Sequence, residues 1–329
     1  MRGEFPVSCP PVLYIVVPCF NEEEALPRSS QELRQTLVKM VSAGLVSDRS
    51  KILFVDDGSR DRTWELICRF HAQDEIYTGL RLSRNCGHQN ALLAGLMAAK
   101  ELADIAVSID ADLQDDVSVI ERMARKYAEG CQIVYGVRSS RRSDTFFKRF
   151  SAETFYKLLR FMGVEVVFNH ADFRLMSKKA LDALADFKEV NLFLRGLIPL
   201  LGFSSGVVEY ERRPRAEGVS KYPLRKMLKL AFDGISSFSV RPIRMISCLG
   251  GVIFTISLLV LLWTLWAKLT GRTVSGWTSL MLSIWAIGGI QLLSLGLIGE
   301  YIGKIYMETK ARPRYIVAET LFDDQIKQA

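Results

Sequence analysis

The sequence predicts an α/β protein on a mainly parallel sheet with flanking helices, followed by a membrane-associated C-terminal part. Three observations carry this. From residue 12 to residue 137, short apolar runs alternate with helical stretches, the signature of crossover-connected parallel strands. Polar clusters sit where the runs end. Residues 245–267 and 273–299 contain no charged residue, and each is long enough to cross a bilayer.

Taken in order, residues 12–17 read as a buried strand closed by Pro18, and 22–43 as a helix. Residues 51–55 form a second strand ending in Asp56-Asp57-Gly58-Ser59, and 61–72 a helix with Asp61 as N-cap. Strands follow at 79–82, 104–109 and 132–137, with helices at 89–102 and 117–129 between them. Ligands of such sheets bind outside the carboxyl ends of the strands. The clusters Asn21-Glu22-Glu23, Asp56–Ser59, Asp110–Asp116 and Arg138–Arg142 all fall on that rim.

The alternation stops at 144–162. There Phe147, Phe150, Phe155, Leu158 and Phe161 form one stripe, with Lys148, Arg149, Lys157 and Arg160 beside it. A helix packed on the core and a helix lying in a membrane interface suit this pattern equally. Residues 221–244 repeat the theme and run directly into the first uncharged stretch, which favours an interfacial placement there. The domain plan is therefore a globular domain at 1–220, a juxtamembrane helix at 221–244, a hairpin at 245–303 with spans 245–267 and 277–300, and a tail at 304–329. Arg241, Arg244, Lys304, Lys310, Arg312 and Arg314 flank the hairpin on one side. The positive-inside rule puts that side in the cytoplasm with both termini, in a multi-pass protein of the inner membrane.

The chain has 329 residues and a formal net charge of +7. Much of the basic charge lies at 138–160 and 212–244 among apolar residues, a pattern for an anionic membrane surface. No helix-turn-helix, zinc-finger or RNA-binding motif is present, so nucleic acid is not an expected partner. The six cysteines form no C-x-x-C pair and the three histidines no zinc spacing. The start of the chain has no signal-peptide pattern, so the first domain is expected in the cytosol.

The chemistry is concentrated at Asp110-Ala111-Asp112-Leu113-Gln114-Asp115-Asp116. Carboxylates packed at a strand end repel one another unless a cation joins them. Oxygen ligands at this spacing suit a hard divalent ion such as Mg2+ or Mn2+. In Asp56-Asp57-Gly58-Ser59 the glycine permits a tight turn, and the carboxylates can accept from a base N–H or a ribose hydroxyl. Arg138, Arg141 and Arg142 follow the fifth strand, and the run Arg215-Ala216-Glu217-Gly218-Val219-Ser220-Lys221 lies just before the apparent interfacial helix. Such groups suit a phosphate or form a solvated basic loop, and the position beside the helix favours the phosphate.

The ordered set Val17-Pro18-Cys19-Phe20-Asn21-Glu22-Glu23, Asp56–Ser59, Asp110–Asp115, Asp172-Phe173-Arg174-Leu175-Met176 and Arg215–Lys221, with the hairpin and Ala311-Arg312-Pro313, resembles the family 2 glycosyltransferases of the GT-A fold. More narrowly it resembles the polyprenyl-phosphate glycosyltransferases, over nearly the whole chain. The resemblance implies a Rossmann-like GT-A domain and Asp110, Asp112 and Gln114 as metal ligands. It implies a nucleotide-sugar pocket of Pro18, Asn21, Glu23, Asp56, Asp57, Asp110 and Asp172. Arg138, Arg141, Arg142, Arg215, Ser220 and Lys221 would bind the lipid phosphate, with Asp112, Arg138, Arg215 and Lys221 catalytic. Asp172 could contact sugar hydroxyls or orient Arg174. The sequence departs from the family pattern at Asp116, where proline is common, and at Cys86, where an aromatic is common.

The implied reaction is inverting displacement at the anomeric carbon by a polyprenyl (undecaprenyl) phosphate oxygen. A phosphate monoester is largely ionised at neutral pH, its second pKa being about 6, so a strong general base is unnecessary. Relatives with this hairpin make UDP-glucose the first expectation for the donor, ahead of UDP-N-acetylglucosamine, UDP-galactose and GDP-mannose, and suggest a homo-oligomer. The product would feed cell-surface glycan modification. Alternatives are a polysaccharide synthase, disfavoured because no Gln-x-x-Arg-Trp string occurs, a transferase with a soluble acceptor, and a catalytically silent membrane scaffold.

Overall fold

The computed structural model describes residues 9–138, 170–189, 192, 194–211 and 276–322, with scattered positions between 243 and 266. The chain divides into two compact units: 1–153 with 166–221 and 313–329, and 154–165 with 222–312.

Among the described residues, the first unit is built on an eight-stranded sheet. Its strands are β1 (Leu13–Cys19), β2 (Lys51–Asp56), β3 (Tyr77–Leu82), β4 (Ile105–Ser108), β5 (Ile133–Arg138), β6 (His170–Ser177), β7 (Ser205–Tyr210) and β8 (Val317–Leu321). The spatial order is β7-β5-β6-β4-β1-β2-β3-β8. The helices of this unit are α1 (Leu26–Ser42), α2 (Thr63–Gln73), α3 (His88–Leu102), α4 (Val119–Ala128), α5 (Lys178–Ala185) and α6 (Leu194–Leu200). This is the expected α/β architecture of the GT-A type, but the sheet is mixed. β6 runs antiparallel to both β4 and β5, and β8 antiparallel to β3.

Every residue of β1 is buried, as a central strand covered on both faces requires. Leu13, Ile15 and Val17 join one core with Ile52 and Phe54; Tyr14 and Val16 join the other with Leu53 and Val55. The first core takes Leu33 of α1, Ile67 of α2 and Met123 of α4, and the second Leu92 of α3, Leu181 of α5 and Ile198 of α6. Helix and sheet approach closely at Gly95 of α3, where a Cβ would lie 2.4 Å from Val16 Cγ1 and 2.6 Å from Val55 Cγ2.

Pro18 does not close the first strand; it lies within it, opposite Val55. The Val16 carbonyl accepts from Ile109 N–H on the β4 side, and Pro18, two residues on, faces the same way. The β1–β4 ladder ends at Ser108, so no ladder bond asks for the missing N–H. Helix α1 begins at Leu26 rather than at residue 22, because the preceding residues form a turn in which Ala25 and Leu26 N–H both reach the Glu22 carbonyl.

The second unit contains α7 (Trp277–Thr309), a 33-residue helix. Its exposed side chains include Leu280, Ile284, Leu292, Leu295, Ile302 and Ile305. Among the described residues, no helix combines the length and apolarity needed to cross a membrane. The 245–267 stretch is in large part outside the described residues, as are the 144–162 helix and almost all of 221–244.

Candidate active site

The sheet order reverses between β1 and β4. From β1 the chain winds outward through β2 and β3, and β4 returns to the other flank of β1. Crevices of this kind, at the carboxyl ends of diverging strands, hold ligands in α/β sheets. Three loops and one strand meet here.

The first two are tied together. Asn21 has a φ of +54°. Its N–H donates to Ser59 Oγ (2.9 Å), and its Oδ1 accepts from Arg60 N–H (2.9 Å). Glu22 N–H reaches Thr63 Oγ1 (2.9 Å), and Glu23 Oε2 accepts from Arg62 N–H (3.1 Å). Asp61 bridges Glu23 N–H and Thr63 N–H, so it acts at the start of α2, which opens at Thr63 with Arg62 in the N-cap position. Asn21 and Glu23 thus build the rim as well as line it.

The turn after β2 is set by two buried carboxylates. Asp56 Oδ1 accepts from Ser59 N–H at 3.1 Å, and Oδ2 faces Arg81 Nε at 3.4 Å. Asp57 accepts from Cys86 N–H (2.7 Å) and Gly87 N–H (2.9 Å). Burial pushes both carboxyls above their ordinary value, against the opposing pull of these donors. Gly58 has a φ of +67°, and a Cβ there would sit 2.6 Å from the Arg84 carbonyl carbon. Cys86 contributes its backbone N–H, so an aromatic side chain is not needed for this bond.

The third loop carries Asp110, Asp112, Gln114 and Asp115. Leu113 adopts a left-handed φ of +44°, and Asp112 Oδ1 accepts from Gln114 N–H at 3.2 Å. Partial burial, then the charges of Asp172, Asp115 and Asp112, raise the Asp110 carboxyl, with His88 opposing. Asp115 is buried; its Oδ1 accepts from Tyr210 Oη (2.6 Å) and Arg138 Nη2 (3.1 Å). This ties the loop to the ends of β5 and β7 and holds Arg138 on the rim. Asp116 accepts from Ser118 N–H at 3.1 Å and so starts α4, a task proline could not share through a side chain.

The fourth element is β6. Its antiparallel register pairs Arg174 with Ser108, so Asp172, two residues earlier, lies beside Asp110 beyond the end of β4. Asp172 is gripped by Arg195, Nε to Oδ1 at 3.1 Å and Nη2 to Oδ2 at 3.0 Å, and by Arg174. Burial works against its charge, but Arg195 and Arg174 outweigh it and hold the carboxyl well below the ordinary range. His88, at the start of α3, points Nε2 between Asp110 Oδ1 (3.6 Å) and Asp172 Oδ2 (3.8 Å).

The structure therefore brings Asn21, Glu23, Asp56, Asp57, Asp110, Asp112, Gln114, Asp115, Arg138 and Asp172 to one rim, with Pro18 at its base. Arg141, Arg142, Arg215, Ser220 and Lys221 lie outside the described residues. His88, Arg195 and Tyr210 are additional members that the sequence reading does not single out. Only His88 left a local signal, directly after Gly87 of the Arg84-Asn85-Cys86-Gly87 run; Arg195 and Tyr210 gain their place through contacts distant in sequence. Among the described residues, no group of three or more His, Cys, Asp or Glu side chains forms a ready ligand set for a metal.

The family model "Glycosyl transferase family 2" matches residues 14–185, and the model "GtrB C-terminal hairpin" matches residues 241–305. A Bacillus subtilis protein described as the uncharacterized glycosyltransferase YkoT is 52% identical, over 96% of this chain and 94% of its own length. The bactoprenol glucosyl transferase of Shigella phage SfX is 38% identical, over 92% of this chain and 97% of its own. The prophage bactoprenol glucosyl transferase homolog of Escherichia coli is 37% identical, over 92% and 97%. With its carboxylate rim at the reversal of the sheet and both family models matched in order, the chain belongs to glycosyl transferase family 2, in the branch that carries the GtrB C-terminal hairpin.

Proposed function

We propose that this enzyme transfers glucose from UDP-glucose to a polyprenyl (undecaprenyl) phosphate, with inversion at the anomeric carbon, at the cytoplasmic face of a membrane. The observation that carries the reading is the carboxylate rim, Asp110 beside Asp172 with Asp112 on the same loop, in a chain 38% identical to a bactoprenol glucosyl transferase over 97% of that protein. Asp56 and Asp57 bind the nucleoside, with Pro18, Asn21 and Glu23 shaping that wall. Asp172, fixed by two arginines, is an acceptor-only group suited to the sugar hydroxyls.

Asp110, Asp112 and Gln114 offer hard oxygen donors, a set that fits Mg2+ or Mn2+ completed by phosphate oxygens. An ion held there would offset the charge that grows on the leaving diphosphate. The acceptor phosphate is met by Arg138, Arg141, Arg142, Arg215, Ser220 and Lys221. It is already ionised, so catalysis is positioning and charge stabilisation rather than proton abstraction. Residues 245–303 anchor the enzyme as a two-helix hairpin; the absence of any charge from 245–267 and 273–299 supports this. Glycines 288, 289, 296 and 299 leave open space on α7, which supports close helix contacts in a homo-oligomer.

The test is transfer of label from radiolabelled UDP-glucose into the organic phase with undecaprenyl phosphate and Mg2+ or Mn2+. The Asp112→Ala variant should lose roughly 100-fold or more, as for removal of a group that stabilises transition-state charge. Folded wild-type protein that labels no lipid from any nucleotide sugar sinks the reading.

A further inference from the structure

The last strand of the sheet touches the nucleotide side of the rim through one side chain. β8 pairs antiparallel with β3, with Glu319 directly opposite Arg81. Both carboxylate oxygens of Glu319 are engaged. Oε1 accepts from Arg81 Nη1 at 2.9 Å and Oε2 from Trp64 Nε1 at 3.2 Å. The Arg81 guanidinium lies over the Trp64 ring, 5.6 Å from its centre. Its Nε faces Asp56 Oδ2 at 3.4 Å. That oxygen is fully buried and makes no hydrogen bond of its own, so the nearby guanidinium is what balances its charge.

This arrangement has two properties. The three-way hold of Glu319, Trp64 and Asp56 fixes one rotamer of a long, otherwise mobile arginine. Arg81 is also the only cation among the described residues paired with Asp56, whose other oxygen shapes the turn that carries Asp57. Loss of the Glu319 charge frees Arg81 to turn toward solvent and leaves a buried carboxylate less well compensated at the turn.

We propose that Glu319 is a positioning residue for nucleotide binding, acting through Arg81 on the Asp56–Asp57 turn, so that the strand following the hairpin serves the donor pocket. The inference rests on reading that turn as the nucleotide-binding element.

The test uses the full chain, with UDP in the presence of Mn2+ measured by titration calorimetry and steady-state KM measured for both substrates. Glu319→Gln keeps the shape and an acceptor for Trp64 but removes the charge. UDP Kd and donor KM should rise about two- to tenfold, the range for a partly exposed but networked ion pair. The KM for lipid acceptor should stay unchanged, and the melting temperature should fall by no more than a few degrees, because Glu319 is half exposed. In an Arg81→Ala background the same substitution should add nothing. Wild-type binding of UDP with an equally tight Glu319→Gln variant overturns the inference alone, as does an effect additive with Arg81→Ala or an equal rise in both KM values. Failure of the wild type to bind UDP removes the nucleotide reading of the turn and the inference with it.

Discussion

Asp172→Asn removes one charge from a buried cluster and should destabilise the enzyme far more than loss of its visible partner. Arg174 has no exposed side-chain surface, and its Nε and Nη1 lack hydrogen-bond partners. Asp172 is its paired carboxylate. The asparagine variant leaves that guanidinium buried and unpaired, which costs roughly 3–5 kcal/mol. For a domain of this size each kcal/mol lowers the melting temperature by about 2–4 °C, so a fall of roughly 6–20 °C is expected. Arg195→Ala leaves the Asp172–Arg174 pair intact. Arg195 is one-third exposed, so its loss should cost only about 1 kcal/mol after allowance for solvent screening. Asp172→Leu with Arg174→Met replaces the whole pair by apolar groups and should recover most of the stability, although not the activity. Thermal unfolding followed by tryptophan fluorescence measures all three. Equal losses for Asp172→Asn and Arg195→Ala, or a double variant worse than Asp172→Asn, would mean that the buried Arg174 guanidinium does not depend on its carboxylate.

Three other outcomes follow from the geometry. Gly58→Ala forces a side chain into a left-handed turn against the Arg84–Asn85 backbone; strain of about 1–3 kcal/mol is expected, with UDP affinity falling alongside the melting temperature in calorimetry. Gly95→Ala places a methyl group against Val16 and Val55 and should cost about 1–3 kcal/mol by overpacking, lowering the melting temperature while leaving both KM values unchanged. In acid, the depressed Asp172 carboxyl contributes stability that is present above its unfolded value of about 3.9 and lost as pH falls toward the native one. Asp56 and Asp57 have raised values and the opposite sign, their charge costing stability above those values and the cost vanishing on acidification. The acid limb of unfolding should therefore be shallower in Asp172→Asn than in the wild type, by chemical denaturation at stepped pH.

The first five strands and the helices between them were legible because each strand is largely apolar and mostly buried on both faces. β6 was not. Its sequence His170-Ala171-Asp172-Phe173-Arg174 alternates charge with aromatic, and both charges are buried as a pair, which no hydropathy pattern anticipates. β8 was hidden for another reason: Val317-Ala318-Glu319-Thr320-Leu321 is short, mixed and separated from its partner by most of the chain. The site divides the same way. Asp56, Asp57, Asp110 and Asp112 announce themselves because each cluster sits at the end of a legible strand. Arg195 reaches Asp172 from 23 residues away, and Tyr210 reaches Asp115 from 95; only the folded register reveals them.

The pairing of β8 with β3 also sets an order of events during synthesis. Arg81 and Glu319 are 238 residues apart, so the outer edge of β3 leaves the ribosome long before the strand that covers it exists. At about 5–20 residues per second this interval is roughly 12–48 s. Throughout it, β3 presents an unpaired backbone edge, the kind of surface that recruits foreign strands. Everything between must be made before the nascent sheet can be sealed. Shortened chains that stop before residue 317 should consequently aggregate through that edge, whatever the state of the rest of the domain.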